Sequence, residues 1–277
     1  MSPRELGEAL GVSESSLKRW IDAGKIIATR TDGGHRRISL PEAVRFIRET
    51  GAPLAHPEIL DMPEVATAHE QGLHGADRLL GHLERGDAVG ARGFLLARYL
   101  RGSTVAELCD GPIRDAMHSL GDLWNHNTQG VFIEHRGTDT CLQALAYLRA
   151  TFEVPSTAPV ALGGGPEDDP YLLPSFMASM VVESTGLRAV NLGPDTPLAA
   201  LQHAVAAHEP KIVWISASTK VAPARAKALA TWLATLAPKT IPVIGGREGA
   251  RIAAAHPALR YAETMGELAA IASRVAR

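Results

Sequence analysis

The sequence predicts a multidomain chain of the α + α/β class: an N-terminal winged helix-turn-helix, a four-helix bundle and a C-terminal doubly wound parallel sheet of Rossmann or flavodoxin-like size. Three observations predict it. The 277 residues exceed what one hydrophobic core ordinarily serves. Apolar residues recur with helical spacing as far as residue 154, then give way to short apolar runs that alternate with helices, the pattern of a parallel sheet. Between the first fifty residues and the rest lies GAPLAHPEILDMPEV, rich in proline and without a period, which reads as a linker. The expected boundaries are 1–50, a linker over 51–65, a bundle over 66–154 and a sheet domain over 158–277.

Composition narrows the function classes. Hydrophobic residues make up 45% and aromatics only 5%, so Ala, Leu and Val carry the core and disorder is excluded. The formal charge of −2 argues against nucleic-acid binding by the chain as a whole, yet the charge is split. Residues 1–50 hold nine Lys/Arg against seven Asp/Glu, whereas the remainder is acidic. The two cysteines, Cys109 and Cys141, fall in helical patterns, which suits core packing in a reducing compartment better than a disulfide. The opening MSPRELGEAL carries no secretory signal and no later run is apolar enough for a membrane span, so the expected location is the cytoplasm, with no membrane partner.

Ser2 and Glu5 have capping-box spacing, with Pro3 at the first helical position, and predict a helix through Leu10. Gly11-Val12 breaks it, and Ser13 caps a second helix whose Leu17, Trp20 and Ile21 share one face. The other face offers Ser15, Ser16, Lys18 and Arg19, donors and cations suited to base edges and phosphates in a major groove. KIIATRTDGGHRRISL then predicts a hairpin in which Asp32-Gly33 supplies the φ > 0 turn positions, with Arg30, His35, Arg36 and Arg37 around its tip. A helix PEAVRFIRE follows. The alternative is a small helical module with a solvated hairpin used for protein contacts. Residues 1–50, with GGHRR and the helix after it, resemble the MerR-type winged-helix family, which implies a double-stranded DNA operator as partner.

Helical patterns run over 67–85, 87–101, 104–127 and 133–151. In LWNHNTQGVFIEHRGTD, Trp124 closes the third, Glu134 and His135 open the fourth, and Val131 lies between. An aromatic plate beside an acid and an imidazole can cover a flat or adenine-bearing ligand; the same residues also suit a core anchor and a helix cap. The Trp-x9-Glu-His spacing resembles the cobalamin-dependent photoreceptor repressors of the MerR superfamily, the CarH and LitR group. The resemblance implies that Trp124, Val131, Glu134 and His135 cover the adenosyl group of adenosylcobalamin, and that the protein is a homo-oligomeric repressor, a dimer or tetramer. Light-sensing members of that group carry His directly after the Trp; here Asn125 stands there and His126 follows.

From residue 158, the runs PVALGG, RAVNLG, KIVWISAS and IPVIGG, with a brief strand at 259–261, alternate with helices over 171–185, 197–208, 220–237, 247–255 and 265–276. Ligands of such sheets sit at the strands' carboxyl ends, which here carry Ser216, Ser218, Gly245 and Gly246. Glycine admits close backbone approach and the hydroxyls can bond a polar tail, although turn chemistry accounts for the glycines equally well. The set resembles a cobalamin-binding domain. That family places an acid-x-His-x-x-Gly signature after the first strand, whose His ligates cobalt; the matching residues here run Asp169-Pro170-Tyr171-Leu172-Leu173-Pro174, with Tyr171 in the histidine's place. A phenol must lose a proton near pH 10 before it can serve as imidazole does.

Three regulator readings follow: a cobalamin sensor with an altered or absent ligand below the metal; a cofactor-independent regulator whose C-terminal half self-associates or meets an antirepressor; or a sensor of another tetrapyrrole, a haem or bilin, with Tyr171 on ferric iron. An enzyme reading, a cobalamin-dependent methyltransferase or a mutase accessory domain, is left without a further catalytic domain once these three segments are assigned.

Overall fold

The computed structural model describes residues 1–70, 76–124 and 128–276. Two compact units emerge, Met1–Thr104 with Gly111–Glu153, and Val105–Asp110 with Val154–Arg277.

In the first unit, α1 (Pro3–Ala9) starts on the expected reciprocal cap: Ser2 Oγ accepts from the Glu5 amide at 3.2 Å and Glu5 accepts from the Ser2 amide at 2.6 Å. Ser13 caps α2 (Glu14–Asp22). The hairpin is short, β1 (Thr29–Arg30) against β2 (Arg36–Arg37), with Arg30 opposite Arg36. Its left-handed residue is Gly34, φ +79°, rather than Asp32 or Gly33, because the turn closes from the Gly34 amide to the Thr31 carbonyl at 2.8 Å. Helix α3 (Leu40–Thr50) follows. Leu6, Leu10, Leu17, Ile26, Ile38 and Phe46 close a small core. Buried Glu42 fastens the hairpin's entry by accepting from the Ile27 amide at 2.6 Å and from Arg45. Burial alone would raise its carboxyl pKa, but the Arg45 and Ile27 hydrogen bonds outweigh it and hold the group below its ordinary value.

The stretch over 51–65, expected as a linker, packs against α1 and the helix that follows it. Residues 57–60 form a 3-10 turn, and Leu60, Met62 and Val65 are buried. The His56 amide donates to the Ala9 carbonyl at 3.0 Å, and the Tyr147 hydroxyl to the Asp61 carbonyl at 2.7 Å. Prolines stiffen this stretch, and its apolar residues give it something to pack.

Helices α4 (Glu64–Glu70), α5 (Ala76–Arg85) and α6 (Ala88–Leu100) replace the first two expected patterns; residues 71–75, inside the expected 67–85 helix, lie outside the described residues. The expected 104–127 helix is broken: α7 (Val105–Leu108) belongs to the second unit and α8 (Arg114–Trp124) to the first. The break sits at Gly111, φ −104° and ψ −105°, followed by Pro112, which removes a helical N–H. Helix α9 (Thr128–Arg149) starts earlier than the expected 133, so Val131, Glu134 and His135 lie inside its first two turns. It packs against α5, α6 and α8.

The second unit holds a parallel five-stranded sheet: β3 (Val160–Gly164), β4 (Arg188–Asn191), β5 (Ile212–Ser216), β6 (Ile241–Gly245) and β7 (Arg260–Tyr261), in the order β4-β3-β5-β6-β7. Helices α10 (Leu172–Ser184), α11 (Leu198–His208), α12 (Pro223–Leu236), α13 (Gly249–Ala253) and α14 (Met265–Val275) connect and follow the strands. Val213, Ile215 and Ile244 are fully buried with Leu201, Leu229 and Leu233 on one face; α10 covers β3, β4 and β5. The chain leaves β3 for neighbours on both sides, so strand order reverses between β3 and β5, and the ligand crevice of a doubly wound sheet lies there. Asp110, just past α7, caps α14 with both oxygens, accepting from Met265 N at 2.9 Å and Gly266 N at 2.8 Å.

Cys109 and Cys141 are buried in their units and form no disulfide among the described residues, and burial pushes the Cys141 thiol up to about 12. No helix among the described residues is long and apolar enough to cross a membrane.

Candidate functional site

The N-terminal face is built on α2 and the hairpin. Ser15, Lys18 and Arg19 are exposed and Ser16 half-buried. The Ser13, Ser15 and Ser16 hydroxyls cluster within 3.0 Å of Ser13 Oγ, and Arg19 donates to Ser16 Oγ at 3.3 Å, so the first turn presents a hydroxyl cluster next to a guanidinium. Lys18 pairs with Glu14 at 2.8 Å, one turn back. On the hairpin, Arg30, His35 and Arg37 are exposed and form no salt bridge among the described residues. Arg36 differs: its guanidinium is 2.6 Å from Asp22 at the end of α2 and is largely covered. Register explains the difference. Arg30 and Arg36 are cross-strand partners, and Arg36 is drawn onto the helix, fixing the hairpin against α2. Asp22 had no signal in the sequence beyond its charge.

A second clamp holds α3 to α6. Arg48 donates to the carbonyls of Tyr99 and, at 2.9 Å, of Ser103, with its guanidinium 3.6 Å above the Tyr99 ring. The pairing spans more than fifty residues and leaves no local trace in the sequence.

In the helical part, Trp124 ends α8, but its side chain, with Asn125 and His126, lies outside the described residues. Val131 is half-buried. Glu134 is mostly covered, accepting from Thr138 Oγ1 at 3.0 Å, and His135 Nε2 stands 3.6 Å from its other oxygen. The His135 ring is 66% exposed, and Phe132 one turn away is exposed with the Arg136 guanidinium 4.7 Å from its ring centre. The face of α9 thus offers an imidazole edge and a carboxylate beside an exposed aromatic.

At the sheet, the structure brings Asp169, Ser216 and Ser218 to the β3/β5 crevice. Asp169 is fully buried, and its carboxylate accepts from Tyr171 N at 3.2 Å, Ser218 N at 2.5 Å and Thr219 N at 3.2 Å. Asp168 in the same loop pairs with Arg225, and the Asp168 amide donates to Asp195 at 2.8 Å. Tyr171 stands at the N-cap of α10 and is 52% exposed. Ser216 is buried, and the glycines lie against backbone: a Cβ on Gly246 would stand 2.3 Å from the Ala217 carbonyl oxygen, and one on Gly245 3.2 Å from that of Ala262. These glycines admit the chain's own backbone. Sequence reading missed Trp214. It pairs with Gly163 across β5 and β3, and a Cβ on Gly163 would fall 2.3 Å from the indole, so the ring lies over that glycine.

With this geometry in place, comparison with known proteins is informative. Residues 1–49 match a family model described as a helix-turn-helix domain. Residues 76–149 match one described as a B12 binding domain. The chain carries both. The strands of the sheet unit lie outside both ranges. No curated protein matches the chain by sequence. Among solved structures, the monomethylamine corrinoid protein of Methanosarcina barkeri is similar at 16% identity over 71% of this chain and 96% of that one, with a TM-score of 0.55. The methanol:cobalamin methyltransferase complex MtaBC of the same organism matches at 17% identity over 75% and 82%, TM-score 0.39. A cobalamin-binding protein of Desulfitobacterium hafniense DCB-2 matches at 15% over 72% and 98%, TM-score 0.39. The first of these is a likeness of fold.

A corrinoid is the cofactor the B12 binding match implies. The donor set of α9 fits contacts to such a group, with an acceptor and an imidazole on one accessible face. At the sheet edge no imidazole is offered: Tyr171 presents a phenol, and the Asp169 carboxylate already accepts from three backbone amides.

Proposed function

We propose that this protein is a DNA-binding transcription regulator, a repressor, whose occupancy of a double-stranded operator follows the state of a corrinoid, with adenosylcobalamin as the cofactor. The observation that carries the reading is the presence, in one chain, of a helix-turn-helix match bearing an exposed Arg30-His35-Arg37 hairpin and a B12 binding match. Ser15, Ser16, Lys18 and Arg19 enter the major groove, and Arg30, His35 and Arg37 contact phosphates or the minor groove, in the manner of MerR-type winged helices. Trp124, Val131, Glu134 and His135 contact the upper face of the corrinoid. When bound, an adenosylated corrinoid supplies a cobalt–carbon bond that visible light breaks. The protein's part is to couple that state to self-association, as a dimer or tetramer, because joining several DNA-binding heads multiplies operator occupancy without changing any single contact. The domains proposed for these roles are 1–50, 66–154 and 158–277, and the protein acts in the cytoplasm.

The test is an absorption spectrum of full-length protein desalted after incubation with adenosylcobalamin in the dark, with size-exclusion and operator-binding profiles before and after green light. Retained corrinoid absorption and a light-dependent change in assembly or DNA affinity are expected. Retained corrinoid with identical profiles in dark and light refutes the light switch. The closed crevice at Asp169 favours a second reading, a cofactor-independent regulator whose sheet unit self-associates or binds an antirepressor; it predicts a colourless protein that still binds DNA.

A further inference from the structure

Cobalamin carries its own ligand beneath the metal, a benzimidazole on a nucleotide tail. A protein that displaces it must give the displaced bicycle a slot and leave the metal to a protein ligand or to water, and in a doubly wound sheet the room for that slot lies at the strand-order reversal. In this chain that place is taken twice over. Trp214 sits on β5, the strand flanking the reversal, and its indole, a bicycle of the same size, lies across Gly163 of β3 at 2% exposure. Its neighbours Val213 and Ile215 point into the opposite core, so alternation puts the indole on the face that α10 covers. The ring's Nε1 finds no hydrogen-bond partner among the described residues, a cost that a residue placed for shape alone would carry. At the mouth, Asp169 from the loop after β3 ties down the Ser218 and Thr219 amides of the loop after β5. Tyr171, at the start of α10, is half exposed and offers no neutral nitrogen.

We infer that Trp214 and Asp169 close the switch-point crevice, so that this protein selects corrinoids that keep their own base on the metal. The inference rests on the corrinoid reading above. Trp214 is a specificity residue that excludes the tail, and Asp169 a positioning residue that holds the two loops shut.

The experiment uses the full-length protein with cob(II)alamin whose benzimidazole is labelled with 15N, read by electron paramagnetic resonance. Nitrogen coupling from the labelled base splits each line into a doublet, the expected result. A triplet, from an unlabelled protein nitrogen, or loss of nitrogen splitting with corrinoid retained, overturns the inference and leaves the corrinoid reading standing. No uptake of cobalamin overturns both. In the double variant Trp214→Ala with Tyr171→His, the doublet should give way to a triplet. A folded double variant that keeps the doublet removes Trp214 from the account.

Discussion

Asp169→Ala is the perturbation with the most direct magnitude. The side chain is fully buried and each of its hydrogen bonds joins a carboxylate to a backbone amide. Charge-assisted bonds of this kind contribute about 1.5–3 kcal/mol each, and amides left without a partner regain part of that from water entering the void, so a loss of roughly 3–5 kcal/mol is expected. Asparagine keeps one acceptor oxygen and should lose about half as much. With a urea dependence of about 2 kcal/mol per molar, the alanine variant should unfold about 1.5–2.5 M earlier. The two cysteines make the assay specific, because Cys109 is buried in the sheet unit and Cys141 in the helical one. Pulsed thiol labelling across a urea series, with each cysteine followed by mass spectrometry, reads the units separately. Cys141, its thiol pushed up to about 12, should react only on opening. The Cys109 midpoint should fall by the stated amount. A midpoint for Cys109 within about 0.5 M of the parent protein, roughly 1 kcal/mol, would refute the idea that Asp169 holds the loops together.

Arg30→Ala and Arg37→Ala should each weaken binding to any duplex and lower the slope of log affinity against log salt by about 0.9, measured by fluorescence anisotropy on full-length protein. Arg36→Ala should lower that slope less, because Arg36 is already neutralised by Asp22, and Asp22→Asn should strengthen non-specific binding; equal effects from all three arginines would contradict this geometry. Glu42, held below its usual 4.5, contributes stability that is complete above that value and lost as pH falls through its lower folded value. Glu42→Gln should therefore be less stable at neutral pH and show a flatter decline in thermal midpoint between about pH 5 and 3; parallel curves would deny the linkage. Arg48→Ala, which removes two carbonyl contacts and a ring contact, should cost about 2–3 kcal/mol in urea unfolding followed at Cys141.

Local rules made much of the fold legible. The reciprocal cap of Ser2 and Glu5 and the Ser13 cap are written within four residues, and so is the structure they dictate. The strands of the sheet follow apolar runs bounded by glycine and proline, and their alternation with helices specified the parallel topology. The helix break at Gly111-Pro112 lies inside a stretch whose apolar periodicity continues on both sides, so the pattern predicts one helix where the chain forms two. Tyr171 stood out because it departs from a signature; Asp169, two residues before it, showed only as the acid of that signature, and nothing local told of its partners 49 and 50 residues away. Nothing in Trp214 itself told of Gly163. A tryptophan in a Val-Ile run reads as core, and only the strand register puts a bare glycine beneath the ring.

The stretch over 51–65 shows why composition alone misjudges coupling. Proline removes backbone donors and so prevents regular structure, but it also restricts the chain, and a restricted segment loses less entropy when it packs. Leu60, Met62 and Val65 supply apolar surface to bury, at about 25 cal/mol per Å². Polar anchors complete the attachment, the Ala9 carbonyl at one end and the Tyr147 hydroxyl at the other. A flexible tether would let the N-terminal domain sample many orientations and would lower its effective concentration at a second half-site. Arg48, gripping the end of α6 from α3, works against that freedom from the neighbouring helix. The helix-turn-helix segment is thereby held to α6, one of the helices matched to B12 binding, by packed side chains and hydrogen bonds rather than by a loose chain.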